Sequence, residues 1–288
     1  MKIALKNFEP QYINLALEKI RMYYRERGDQ VEVFDPSKRE NYNRIYCSSL
    51  FDFTDKEDTP KDSICGGTGF DIYKKLPFKI ERMKPKLNIG FTTRGCIRKC
   101  PFCVVPRKEG VIKIVGDIYD IWDGSSKSLI LLDNNILAVP DHFHKICGQV
   151  RKEAIKVDFN QGLDIRLVNK EIINSLKSIR IKKYRFSFDN PKMEKVVTKK
   201  LELLFSEGIK RCLFYVLVGF NTTIEQDLYR LNLLKSLGQR CYLMGYKKDP
   251  LYTNLASWVN QHRFFMKMSY EEFDFIRKNR RNYASPRD

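Results

Sequence analysis

Histidine is almost missing from this chain. Its 288 residues include three, and none precedes His142. His142 and His144 stand two apart, so on a helix they diverge and are poor partners for one metal ion. No Ser-His-Asp set is apparent, and no phosphate-cradling loop. Acidic residues are also short, at 35 Asp and Glu against 53 Lys and Arg, for a net charge of +18. No apolar run reaches bilayer length. The opening MKIALKNFEP has only a short apolar stretch and no cleavage signal, so it does not read as a secretory leader. These absences point to a cytoplasmic chain with no membrane partner. Of its eight cysteines five are scattered outside one loop, and no second C-x2-C pair or H-x3-H completes a four-ligand zinc site. A disulfide framework is equally out of keeping with a long, reduced-looking chain.

The cysteines that do cluster lie in residues 87–110, LNIGFTTRGCIRKCPFCVVPRKEG. Cys96, Cys100 and Cys103 form a C-x3-C-x2-C spacing, with Gly95 before them and Pro101-Phe102 between the last two. Three thiolates can bind three irons of a 4Fe–4S cube and leave the fourth open to a small molecule, whereas four cysteines close every iron. Arg94, Arg98, Lys99, Arg107 and Lys108 make the loop positive. They can offset an anionic cluster, meet an anionic substrate or simply be solvated. Residues 1–86 hold 17 basic and 14 acidic side chains, so +15 of the surplus lies beyond them. Such a surplus favours a polyanionic partner, nucleic acid first, although Lys-rich genome composition produces it too.

Hydropathy divides the chain into four parts. Residues 1–76 read as strand 2–6, helix 11–27 closed by Gly28, strand 31–34 and strand 43–49, a small parallel α/β unit. A polar loop over 52–63 leads to Gly66, Gly67 and Gly69, either a tight turn or a lining of the site. Residues 77–86, with Pro77 and Pro85, read as a linker. From 87 to 246 strands alternate with helices. The strands are 87–91, 128–132, 156–160, 183–188, 212–218 and 240–246, and the helices lie near 116–123, 140–155, 169–179, 192–207 and 223–237. Residues 247–288 are too apolar for disorder and predict one or two helices before a basic tail. In an arrangement of this kind chemistry collects at the C-terminal ends of the strands. Asp133-Asn134-Asn135 stand at one such end, where they can serve substrate binding, proton transfer or the start of a helix.

The loop and the six βα-like strands resemble the radical S-adenosylmethionine (SAM) superfamily over about residues 86–246. TTRGCIRKCPFCVVPRKEG is similar to the loops of the methylthiotransferases and of the B12-dependent group, and the overall pattern resembles uncharacterised prophage-type members. The resemblance implies a fold: a partial (β/α)6 barrel preceded by a small truncated Rossmann-like domain. It implies Cys96, Cys100 and Cys103 as ligands of a 4Fe–4S cluster whose open iron chelates SAM, and a flavodoxin, ferredoxin or reductase as electron donor. Phe102 would pack near the adenine. Asn160, Gln161, Arg166, Ser187, Asp189 and Gly219 would contact SAM, with Asp189 accepting from the ribose and Arg166 pairing with the methionine carboxylate. Residues 1–76 resemble a cobalamin-type domain but lack its D-x-H-x-x-G motif, which argues against cobalamin. Only Cys47 and Cys65 stand where methylthiotransferases place three cysteines for a second cluster, and the tail is short for their RNA-binding β-barrel. The implied activity is reductive cleavage of SAM and hydrogen abstraction from a substrate left open, with a nucleic acid or nucleotide as one class. A metal- or Fe–S-stabilised nucleic-acid-binding protein without SAM chemistry is the alternative.

Overall fold

Apolar strands alternating with amphipathic helices give a mixed α/β molecule whose sheets are almost wholly parallel. A computed structural model of the chain describes residues 1–282. The first unit comprises β1 (Lys2–Asn7), α1 (Leu15–Glu26), β2 (Gln30–Val33), β3 (Arg44–Ser48) and β4 (Ile64–Gly66), in the parallel order β2-β1-β3-β4. Helix α1 starts four residues later than hydropathy predicts. Asn14 takes the N-cap there, its side chain accepting from the Leu17 amide. Strand β4 was not foreseen, since three residues carry no period. It puts Cys65 in register with Cys47 on β3. A Cβ at Gly67 or Gly69 would overlap Ser49 O or Phe51 O, so these glycines let the turn lie backbone to backbone on the end of β3. The expected linker contains a single helical turn, α2 (Phe78–Glu81).

All six expected strands of the second unit are present. They run in chain order as β5 (Ile89–Gly90), a hairpin of β6 (Thr93–Arg94) and β7 (Lys113–Ile114) enclosing α3 (Val105–Lys108), β8 (Ser128–Leu131), α4 (Pro140–Lys152), β9 (Lys156–Phe159), α5 (Lys170–Lys177), β10 (Arg180–Ile181), β11 (Arg185–Ser187), α6 (Glu194–Ser206), β12 (Leu213–Val218), α7 (Ile224–Ser236) and β13 (Arg240–Gly245). Two parallel sheets result, β10-β9-β8-β5 and β11-β12-β13. The predicted helix at 116–123 is only a 3-10 turn at Ile118–Asp120, closed by a reciprocal Asp117–Asp120 capping box. The predicted strand 183–188 holds only β11, and β10 precedes it as a strand that hydropathy does not predict. The Lys182 amide still bonds Val157 O, but Tyr184 O already accepts from Leu213 N, so the chain changes partners between β10 and β11. A Leu163 N–Arg185 O bond of 2.8 Å and a buried Asp158–Arg185 ion pair bridge the two sheets there.

Alternation along the strands separates two faces. Leu129, Leu131, Val157, Phe159, Phe186, Phe214, Val216, Cys241 and Leu243 turn toward the helices and are buried. Asp158, Arg185, Ser187, Tyr215, Tyr242 and Met244 lie on the other face, which is far more polar; Asp158 and Arg185 are buried there as a pair, and the other four are partly open. The tail forms three helices rather than one or two: α8 (Pro250–Val259), α9 (His262–Lys267) and α10 (Tyr270–Asn282). Trp258 joins α8 to α9, its ring 5.0 Å from that of Phe265. The end of the expected basic tail, 283–288, lies outside the described residues. No helix among the described residues is long and apolar enough to cross a membrane.

Candidate functional site

The cysteine loop leaves the end of β5 inside the β6–β7 hairpin and is laid against the end of β8, residue by residue. Asp133 Oδ1 accepts from the Thr92 amide (3.1 Å), the Thr92 and Thr93 hydroxyls (2.7 Å each) and the Thr93 amide. Asn134 Oδ1 accepts from Gly95 N at 3.1 Å. Asn135 Nδ2 donates to Cys96 Sγ at 3.5 Å and to Asp164 Oδ2 at 3.4 Å. The Asp-Asn-Asn triplet is therefore the template on which the loop is held. Burial pushes the Asp133 carboxyl up against its four donors, and its Oδ2 has no partner among the described residues. Asp133 thereby clamps the start of the loop to the end of β8. Gly95 is needed where it stands: its φ is +87° and a Cβ would sit 2.5 Å from Val111 O.

The three thiols are half-buried and close enough for their charges to interact. Burial raises the Cys100 thiol above its usual range, Arg166 opposes this, and Cys103, Cys96 and Asp189 add to it. Cys103 is raised in the same way, by burial first, with the Val105 amide opposing. Among the described residues no three His, Cys, Asp or Glu side chains converge on one metal ion. Cys96 Sγ accepts the Arg98 amide at 3.3 Å besides Asn135. The donor set suits a multi-iron group. One thiol already carries two N–H···S contacts of the kind that tune such a group, and bound iron would supply the charge that burial otherwise denies the thiolates.

Beside them, Asp164 gathers four donors besides Asn135, the Arg166 amide at 3.2 Å among them. It receives Arg98 Nε at 2.9 Å, Arg166 Nε at 2.6 Å and Arg166 Nη2 at 3.0 Å. Burial would raise this carboxyl, but the two guanidiniums hold it below the ordinary value. Arg166 thus spends two of its nitrogens on Asp164, which leaves Nη1 for the role first expected of it. The sign of the pH effect follows. A depressed carboxyl contributes stability above its unfolded value near pH 4 and loses it as the pH falls through the folded one. Asp164→Asn is expected to cost about 1–2 kcal/mol at neutral pH, below the roughly 3–5 kcal/mol of a fully buried pair, because Arg98 and Arg166 are 33% and 30% exposed. Urea midpoints measured against pH should show the gap to wild type narrowing below about pH 4; a gap that widens on acidification would reverse the assignment.

The other expected residues divide. Asp189 is pushed up by burial, accepts Leu217 N at 3.0 Å, is hydrogen-bonded by Ser187, and acts electrostatically on Cys100 and Cys103. Ser187, Asp189 and Arg166 therefore share the neighbourhood of the thiols. Phe102 packs edge-on to Phe220 with centroids 5.4 Å apart. Asn160 contributes its backbone, with its carbonyl accepting from the Tyr215 hydroxyl at 2.8 Å. Gln161 is exposed on the following turn. Gly219 serves packing: its φ is +73°, its amide bonds Asp227 Oδ2 at 3.0 Å, and a Cβ would lie 2.6 Å from the Tyr252 ring. Of the loop cations, Arg94 is held by Glu109, Arg98 by Asp164 and Lys108 by the Thr68 hydroxyl, while Lys99 and Arg107 are exposed. His142 is buried with Nε2 unpartnered among the described residues, and burial lowers its affinity for a proton. Asp164, Asp227 and Arg230 were missed. The only signal for Asp164 was its place two residues before Arg166.

No protein-family model matches the chain, and no curated protein matches it.

Proposed function

We propose that the chain is a radical SAM enzyme, in which Cys96, Cys100 and Cys103 hold three irons of a 4Fe–4S cluster and the two bridged parallel sheets form a partial (β/α)6 barrel around the site. The observation that carries the reading is the loop's attachment: Asn135, at the end of β8, donates to Cys96 while Asn134 fixes the amide of Gly95. A C-x3-C-x2-C loop held at strand ends supplies three thiolates, one fewer than closes every iron of a cube, at the end of the sheet where chemistry collects. When bound, the cluster would supply one electron for the reductive cleavage of SAM and so the radical chemistry that removes hydrogen from substrate. The protein's part is positional. Asn135 and the Arg98 amide steady Cys96, and Arg166 and Arg98 are held in place by Asp164. Ser187 and Asp189 offer polar contacts to SAM beside the thiols, and Phe102 offers a face for its adenine. A flavodoxin, ferredoxin or reductase would deliver the electron, and the basic surplus favours a nucleic acid or nucleotide as substrate.

Anaerobic reconstitution with iron and sulfide tests the reading. The expected result is about four irons per chain and 5′-deoxyadenosine formed from SAM after reduction with dithionite. Iron retained with neither SAM binding nor SAM cleavage would instead favour an Fe–S-stabilised nucleic-acid-binding protein.

A further inference from the structure

The sheet β11-β12-β13 has an open face of unusual composition. On β13 Cys241 and Leu243 are buried, whereas Tyr242, Met244 and, just past its end, Tyr246 are 46%, 38% and 44% exposed. An open sheet face is ordinarily polar; this one ends in aromatic rings. The Tyr246 ring lies 4.6 Å from Phe220, which packs on Phe102 of the cysteine loop. Two residues on, Lys248 Nζ stands 5.6 Å from the ring of Phe53, which belongs to the first unit, is 68% exposed and is stacked on Phe51. A rim of aromatic faces thus runs from the cysteines to the first unit. Lys247 and Lys248, which follow Tyr246, and Lys99 and Arg107 of the cysteine loop are exposed and make no ion pair among the described residues.

Resting on the placement of the active site at the cysteine loop, we infer that this rim binds an unpaired nucleic-acid strand, with bases stacked on Phe53 and Tyr246 and phosphates along Lys247, Lys248, Lys99 and Arg107. Exposed aromatics in a row mark a surface that something covers, and the sign of the charge selects what. The chain carries +18, most of it outside residues 1–86, which suits a polyanion. Stacking selects the strand state, because every unpaired base offers a π-face whereas a duplex hides its own. Asp52, Asp55, Glu57 and Asp58 adjoin Phe53, and among the described residues only Asp58 is neutralised, by Lys6. They repel phosphate there, so the backbone would follow the lysines of the β13 end and the cysteine loop while Phe53 takes a base.

Fluorescence anisotropy on the full, reconstituted chain tests this with labelled single-stranded RNA, single-stranded DNA and the corresponding duplexes. Either single strand should bind more tightly than its duplex, with affinity falling steeply as salt rises. Comparing the two single strands shows whether a 2′-hydroxyl is read. Phe53→Ala and Tyr246→Ala should each weaken binding roughly 5- to 100-fold, as truncation beneath a stacked base does. The pair Lys247→Glu and Lys248→Glu should flatten the salt dependence. Equal affinity for duplex, no loss in the aromatic variants, or equally tight binding of polyglutamate would overturn the inference. SAM cleavage without oligonucleotide is measured on the same samples. Cleavage without strand binding sinks the strand inference alone, and strand binding without cleavage sinks the radical SAM reading alone.

Discussion

Replacing Cys96, Cys100 or Cys103 singly by alanine is expected to abolish cluster retention and 5′-deoxyadenosine formation, while Cys147→Ala leaves both intact. The contrast follows from surroundings. Cys147 lies in the core on α4, its thiol pushed up to about 12 by burial, and behaves as a small apolar side chain. The three loop thiols are only half-buried, act on one another's charge, and include one that already accepts two N–H donors. Losing one ligand leaves two, too few for a cube that needs every protein contact it has. Asn135→Ala gives a graded companion. It keeps all three ligands and removes one donor to Cys96, so cluster affinity or activity should fall roughly 10- to 100-fold rather than vanish, the usual effect of removing an outer partner of a metal site. Iron and sulfide content with product quantitation decide the matter, and thermal melts check that each variant folds. Full iron and undiminished product in any of the three cysteine variants would sink the assignment of that cysteine. An Asn135→Ala loss as complete as theirs would mean that the asparagine holds the loop's shape rather than tuning the cluster.

Elements that a long period defines were legible in the sequence, and those fixed by single side chains were not. The six strands were visible because buried parallel strands read as apolar runs, as in SLIL of β8 and LFYVLV of β12. The break between β10 and β11 was not, because a change of hydrogen-bond partner at Lys182–Tyr184 leaves no mark on hydropathy. The cysteine spacing displayed the thiols but not what holds them. That task falls to Asn134 and Asn135 from 39 residues away, at positions where Asn equally serves turns. Arg166 and Asp189 were picked out as strand-end polar groups and do lie beside the thiols, yet Arg166 is largely engaged by a carboxylate two residues before it. The loop's positive charge was legible as a count. Its distribution, three cations tied to protein partners and two exposed, required the fold.

The largest stability effect is expected far from any cysteine, at Arg230 on α7. Its side chain is 0% exposed, and it has been taken out of water to serve two strands at once. Nη1 donates to Phe188 O, and Nη2 donates to Leu217 O at 2.8 Å and to Asp227 Oδ1. Asp227, equally buried, uses its other oxygen to accept Gly219 N. The pair therefore neutralises itself while satisfying backbone groups at the ends of β11 and β12, which a helix packed on a sheet would otherwise leave unpaired. Arg230→Met removes the cation, strands the Asp227 carboxylate in a dry core and orphans two carbonyls. Breaking such a pair costs about 3–5 kcal/mol, a large part of the roughly 5–15 kcal/mol that holds a domain folded. The double variant Asp227→Leu, Arg230→Met should be less damaged than the sum of its parts, because no lone charge remains. Urea unfolding of the four members of this cycle measures both effects; a single-variant loss below about 1 kcal/mol, the scale of one ordinary hydrogen bond, would show that water reaches the pair. The consequence extends to the site, since Phe188, whose carbonyl Arg230 holds, immediately precedes Asp189, and Leu217, the other residue it holds, donates its amide to that carboxylate. Arg230 thus fixes from behind the sheet the strand ends that present Asp189 to the thiols in front of it.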